Sequence, residues 1–141
     1  SWGEVVMGYS NAVEAEIREK IIKPYEGFLM QKGQTLKELY FPDAKHDVKA
    51  DKCDLGDTVK ILTAKDSFRR SILEQFLSSV RVDEDRSFLL VELPGLLNEL
   101  ISLRNPSAHG EIIKNAKRAR KLVLGAPGKF GLLKRLAGLN L

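Results

Sequence analysis

Apolar residues recur at three-to-four spacing along most of the chain, and the places where that rhythm starts and stops outline the elements. Trp2, Val5, Val6, Tyr9, Val13, Ile17, Ile21, Tyr25 and Phe28 form one stripe, the pattern of a long amphipathic helix. Ser1 and Glu4 make a Ser-x-x-Glu capping box at its start, in which each residue satisfies an amide of the other. Pro24 falls late in this stretch; it lacks the amide hydrogen and crowds the preceding turn, so a kink or division is expected there. Gly33 is the expected end.

A short helical piece through Leu36, Leu39 and Tyr40 follows, and Pro42 opens a polar stretch, DAKHDVKADKCD, that reads as a loop. Asp54 with Asp57 caps a short helix through Val59, Ile61 and Leu62, and Asp66 is the N-cap of another in which Phe68, Ile72, Leu73, Phe76, Leu77 and Val80 form a broad apolar face. The charged run RVDEDR reads as a loop. From Leu93 one face continues through Leu96, Leu97, Leu100 and Ile101 to Arg104, which puts a cation in register with buried leucines. Asn105 and Pro106 then form an N-cap and first-turn signature for a helix running to about Leu124. The turn GAPGKFG and a last amphipathic segment with Leu132, Leu133, Leu136 and Leu139 complete the chain. No alternating pattern marks a strand. The expected fold is an all-α helical bundle with a long loop in its first half, formed by residues 1–141 as one domain.

The composition fits one compact domain, since 141 residues with 43% hydrophobic content can bury most of the apolar surface of the unfolded chain. The single cysteine, Cys53, excludes an internal disulfide framework and the paired-thiol spacings of structural zinc sites, and suits a reducing cytoplasm. No stretch approaches the roughly 20 uncharged apolar residues of a membrane span, and Glu4, Glu14 and Glu16 stand where a signal peptide would be basic and then apolar. The chain opens on Ser1, which leaves open a free-standing protein or a module of a larger one.

Charge is unevenly spread. Residues 1–109 hold 15 Lys and Arg against 18 Asp and Glu, a balance of −3, whereas residues 110–141 hold eight against Glu111 alone, a balance of +7. A basic segment on a mildly acidic body suits a polyanion such as nucleic acid, or serves as a solvated helix face. Lys114, Lys117, Arg118 and Lys121 fall on one stripe of the expected helix and Ile112, Ile113, Ala116, Ala119 and Val123 on the other, so the four cations are candidate RNA-backbone ligands.

The segment LISLRNPSAHG sets Arg104 at the end of one helix and His109 in the first turn of the next. A guanidinium holds phosphate in a forked geometry, and an imidazole moves a proton near neutral pH. The positive end of the helix after Pro106 and the charge of Arg104 both disfavour imidazolium, which would keep His109 neutral as a base. In the other reading Arg104 satisfies the last carbonyls of its helix and His109 is a capping or core histidine.

RNPSAHG behind a leucine-rich amphipathic helix resembles the Arg-polar-x-x-x-His motif of the HEPN superfamily, with Asn105 in the polar slot. The layout is also similar: a long first helix, a variable loop, the motif late at a helix junction, and a basic helix behind it. The resemblance implies a homodimer whose two motifs face each other in a composite cleft and cut RNA without a metal or other cofactor. In that scheme His109 is base and acid, Arg104 stabilises charge on the phosphorus oxygens and Asn105 holds the geometry. It further implies a toxin or defence effector, with a sensor domain or an antitoxin as partner. HEPN modules that have lost catalysis and serve in dimerisation, or in nucleotide or partner binding, are the alternative.

Three features are set aside. His46, Asp47, Asp51, Cys53 and Asp54 lie close in sequence but lack zinc or calcium-loop spacing. Trp2, Tyr9 and Tyr25 belong to the first helix's apolar stripe, as core or dimer contact. Gly125, Gly128 and Gly131 follow no strand and are too sparse for a phosphate-cradling loop.

Overall fold

The computed structural model describes residues 1–78, 83–104 and 112–141. The helices, in chain order, are α1 (Trp2–Ile17), α2 (Lys23–Gln31), α3 (Leu36–Tyr40), α4 (Leu55–Leu62), α5 (Ser67–Leu77), α6 (Asp83–Ser87), α7 (Leu93–Leu103), α8 (Ile112–Leu124) and α9 (Leu132–Ala137). The architecture is all-α. None of these helices is long and apolar enough to cross a membrane.

Helix ends follow the short polar residues that sequence singles out. The amide of Glu4 donates to the Ser1 side chain in a complete capping box, Asp54 and Asp57 cap each other reciprocally, and Asp66 accepts from the Arg69 amide. Gly33, at φ 73°, closes α2: its amide donates to Met30 at 3.0 Å while that of Gln34 reaches Leu29 at 2.9 Å, the paired bonds of a Schellman ending that calls for a left-handed residue.

Pro24 divides the first helix without bending it away. The five residues Arg18–Ile22 form a wide π turn, closed by the Lys23 amide donating to the Arg18 carbonyl five residues back. Widening the turn relieves the clash between the proline ring and the carbonyl four residues earlier and accommodates the missing donor. The same arrangement recurs at Pro94, where Phe88–Glu92 form a π turn and the Leu93 amide donates to Phe88. Residues 83–103 are therefore one continuous helical rod. This corrects the reading of RVDEDR as a loop for its last four residues, because Asp83, Glu84 and Asp85 lie in the first turn of α6, where acidic side chains complement the helix's positive end. Arg81 and Val82, and Val80 of the apolar face expected before them, lie outside the described residues.

The described residues share one hydrophobic core, built around Val13, Ile17, Ile22, Tyr25, Leu29, Leu89, Leu93, Leu97 and Leu100, each at most 1% exposed. α1 lies against α8 through its face of Val6, Ser10, Val13 and Ile17, and α8 turns Ala116, Ala119 and Val123 inward. Small side chains on α8 allow a close approach of the two helices. α7 packs between α4 and α8, and α9 covers α1 and α8. The polar stretch after Pro42 is a loop as expected, with a 3₁₀ turn at Ala50–Lys52. It is tied down where the Ala50 amide donates to Glu26 at 2.8 Å and where Ala50 and Cys53 are buried.

Two details depart from the hydrophobic pattern. Trp2 and Phe68 are 49% and 60% exposed, because each stands in the outermost turn of its helix, beyond the neighbours that cover the rest of the stripe. Gly125–Ala126 and Lys129–Phe130 pair antiparallel as a minimal hairpin after α8. A Cβ on Gly125 would stand 2.4 Å from the Lys129 carbonyl oxygen, and one on Gly131 2.4 Å from both Gly125 N and the Val123 carbonyl oxygen. Only glycine permits this crossing of backbones.

Tyr25 and Tyr40 share a buried hydroxyl bond of 2.6 Å within a cluster completed by Phe28 and Phe76. Burial raises the pKa of both phenols above the ordinary 10.0. The unfolded chain sheds these protons above pH 10 while the folded chain holds them to higher pH, so stability present below pH 10 is lost as pH rises through the raised folded values. Urea unfolding from pH 7 to 11.5 should show a steeper decline above pH 10 in the native protein than in a Tyr25→Phe, Tyr40→Phe variant, in which both partners of the bond are removed together.

Candidate functional site

Arg104 caps the C-terminus of α7, one turn beyond Leu100. Its side chain is 23% exposed, and its Nη1 donates to Glu14 Oε2 at 3.5 Å across a sequence separation of 90 residues. Arg104 thus stands in register with the buried leucines, as the spacing implies, and its charge is accommodated by a carboxylate on α1. Among the described residues its guanidinium is directed to that carboxylate and not to the last carbonyls of α7, so its structural partner is Glu14.

Glu14 is itself 11% exposed at the side chain and accepts a second bond, from Arg18 Nη2 at 3.1 Å. Arg18 in turn donates its Nε to the Cys53 carbonyl at 2.7 Å. One carboxylate therefore anchors two guanidinium groups, and the trio carries a net charge of +1. The carboxylates of Asp57, Asp54 and Glu26 lie within electrostatic range of the same Cys53. The Cys53 thiol has its pKa pushed up to about 12 by burial and by the neighbouring carboxylates of Asp57 and Asp54, which keeps it in the unreactive thiol form.

Asn105 and His109, with Pro106, Ser107 and Ala108 between them, lie outside the described residues, as does the expected start of α8. The described part of α8 places the four candidate backbone ligands as the sequence suggests. Lys114, Lys117, Arg118 and Lys121 are all exposed, opposite the buried Ala116, Ala119 and Val123. They are not equivalent. Arg118 donates Nε to Glu99 Oε1 at 2.5 Å, whereas Lys114, Lys117 and Lys121 make no ion pair among the described residues. Ile113, assigned to the inner stripe, is 48% exposed; it sits at the flank of that stripe and not at its centre.

Sequence reasoning missed Glu14 as a member of this site. Its place on the buried face was legible from its three-residue spacing from Ile17 and seven-residue spacing from Ile21, and a carboxylate there requires a cation, but which cation depends on how α1 and α7 pack. Among the described residues no group of three or more His, Cys, Asp and Glu side chains converges in the manner of a metal site. Neither a protein-family model nor a curated protein nor a solved structure matches the chain.

The asymmetry of the trio makes a stability prediction. Arg104→Ala leaves Glu14 still paired with Arg18 and should cost only about 1 kcal/mol, whereas Glu14→Ala leaves two adjacent, partly buried cations without their anion and should cost about 2–3 kcal/mol. Urea midpoints of the two variants check the order. Labelling of Cys53 by a thiol reagent should accelerate in Glu14→Ala and scarcely change in Arg104→Ala.

Proposed function

We propose that the chain is a HEPN-like, metal-independent endoribonuclease that acts as a homodimer, in the role of a toxin or defence effector. The observation that carries the reading is Arg104: a cation held at the end of a buried leucine face, directly before Asn105-x-x-x-His109, with its position set by Glu14 and the trio left with net positive charge. The exposed stripe of α8 behind it offers to a polyanion lysines that make no ion pair among the described residues. Trp2, Val5 and Met7, exposed on the first turns of α1, supply apolar surface for a second copy.

In this reading His109 takes the proton of a ribose 2′-hydroxyl as its oxygen attacks the adjacent phosphorus. Arg104 stabilises the charge that gathers on the phosphorus oxygens, and Asn105 holds the geometry. The bond from phosphorus to the 5′-oxygen breaks, and the departing oxygen takes a proton from the second copy's His109, which enters the cycle as imidazolium while the first copy's enters neutral and leaves protonated. The products are a 2′,3′-cyclic phosphate and a 5′-hydroxyl, so the atoms and charge balance without a further reactant. A sensor domain or antitoxin would set when the cleft is active.

The Arg104–Glu14 ion pair also favours a second reading, a silent dimerisation or ligand-binding module in which Arg104 serves the fold. Variants separate the two. His109→Ala and Arg104→Ala should each reduce cleavage of single-stranded RNA by a factor of at least about 100 while remaining folded. Lys117→Ala with Lys114→Ala should weaken RNA binding and flatten its salt dependence, and His46→Ala, on the exposed loop, should cleave as the native chain does. Cleavage that persists without His109 assigns the chemistry elsewhere; a dimer that binds but never cleaves supports the silent module.

A further inference from the structure

The turn after α8 builds a pocket that the motif does not use. It has a volume of ≈ 230 Å³ and is lined by Arg118 and Lys121 of α8, Lys129 and Phe130 of the hairpin, Arg135 of α9 and Leu96 of α7. Among the described residues four cations enter the lining and no carboxylate does. Arg118 and Arg135 are each neutralised from outside it, by Glu99 at 2.5 Å and by Glu92 at 3.0 Å, while Lys121 and Lys129 make no ion pair among the described residues. The uncompensated charge of the pocket lining is therefore concentrated on two lysines.

Apolar side chains, Leu96, Leu122, Ala126 and Leu132, complete the lining, and Phe130 is the distinctive element. The ring is 65% exposed although it sits on a hairpin whose backbone is pinned by Gly125 and Gly131. It lines this pocket and a neighbouring hollow, and Lys134, which lies 4.3 Å from the ring centroid, lines only the second. The ring thus meets the Lys134 ammonium and also enters the lining of a cavity that contains Lys121 and Lys129. A flat apolar group bearing an anion fits that combination: the group stacks on Phe130 and its charge meets Lys121 and Lys129.

We infer that this pocket holds one nucleotide of a single-stranded RNA, its base against Phe130 and its phosphate at Lys121 and Lys129. The volume falls below the roughly 300–1,000 Å³ that encloses a whole free ligand, which suits one unit of a polymer whose remainder lies outside. Continuity points the same way. Lys121 belongs to both the pocket and the exposed stripe, and from Lys121 back to Ile112 is about 14 Å along α8 at 1.5 Å per residue. The stripe therefore joins the pocket to the segment bearing the cleavage motif within a few nucleotides' reach. This inference rests on RNA being the substrate and adds to it a stacking subsite at a distance from the scissile phosphate.

The test uses a fluorescein-labelled 2′-O-methyl octaribonucleotide, which lacks the hydroxyl needed for cleavage, followed by anisotropy. Phe130→Ala and Lys129→Ala should each raise Kd by about fivefold or more with an unchanged melting temperature, as expected for side chains at the surface. Phe130→Trp should retain binding, and its emission, corrected for Trp2, should be quenched as an unlabelled octamer is added. Adenosine 5′-monophosphate should compete only far above the concentration at which the octamer does; equal competition would make this a free-nucleotide pocket and overturn the inference. If the native chain cleaves RNA yet the alanine variants bind the octamer normally and the emission of Phe130→Trp does not move, the pocket assignment is wrong and the cleavage reading stands. If the native chain does not bind the octamer at all, both fall.

Discussion

The arrangement turns on the carboxylate of Glu14. A charge with a side chain only 11% exposed is costly unless cations meet it, and two do so from different parts of the chain. Arg18 comes from the π turn imposed by Pro24, and Arg104 from the end of the leucine face of α7. Through Arg18 the same group reaches the Cys53 carbonyl and so fixes the end of the long loop. α1, α7 and the loop are thereby registered against one another at one point. That point is where the motif-bearing segment leaves α7.

From this constraint follows the division of the surface. Many acidic residues of the first three-quarters of the chain are engaged in caps and ion pairs, as with Asp54, Asp57, Asp66, Glu74, Glu92 and Glu99. α8 has an inner face of Ala116, Ala119 and Val123 with few atoms to spare for polar contacts, so its cations are displaced outward. Arg118 is then satisfied by a glutamate, while Lys114, Lys117 and Lys121 have no carboxylate partner among the described residues. Together with Lys129 these lysines extend from the first turn of α8 to the hairpin, a line of available charge along one helix.

The legibility of the fold varied with the range of the interaction that decides each feature. Caps at Ser1, Asp54 and Asp66 depend on residues three positions apart, and the glycine ending at Gly33 on the turn just before it, so sequence alone located them. The disturbance at Pro24 was likewise foreseeable, though not that a π turn would absorb it and leave the rod continuous. Asp83, Glu84 and Asp85 were misread because a charged run is ambiguous between loop and helix start until the rod behind it is known. The hairpin of residues 125–130 has strands two residues long, too short to show any alternation. At the candidate site, the register of Arg104 and the exposure of the α8 lysines came from helical periodicity. The pairing of Arg104 with Glu14, and the entry of Phe130 and Lys121 into one pocket lining, are tertiary features that no local pattern encodes.

What joins these features in the proposed reading is Arg104, held at the end of α7 by Glu14 directly before the motif. Identification of the termini formed when the purified chain is incubated with single-stranded RNA in excess EDTA tests this most directly. Attack by the 2′-hydroxyl, assisted by His109 and Arg104, predicts 2′,3′-cyclic phosphate and 5′-hydroxyl ends by mass spectrometry. Intact RNA after prolonged incubation at dimer-forming concentrations, or 5′-phosphate ends that arise only when magnesium is restored, would contradict the account.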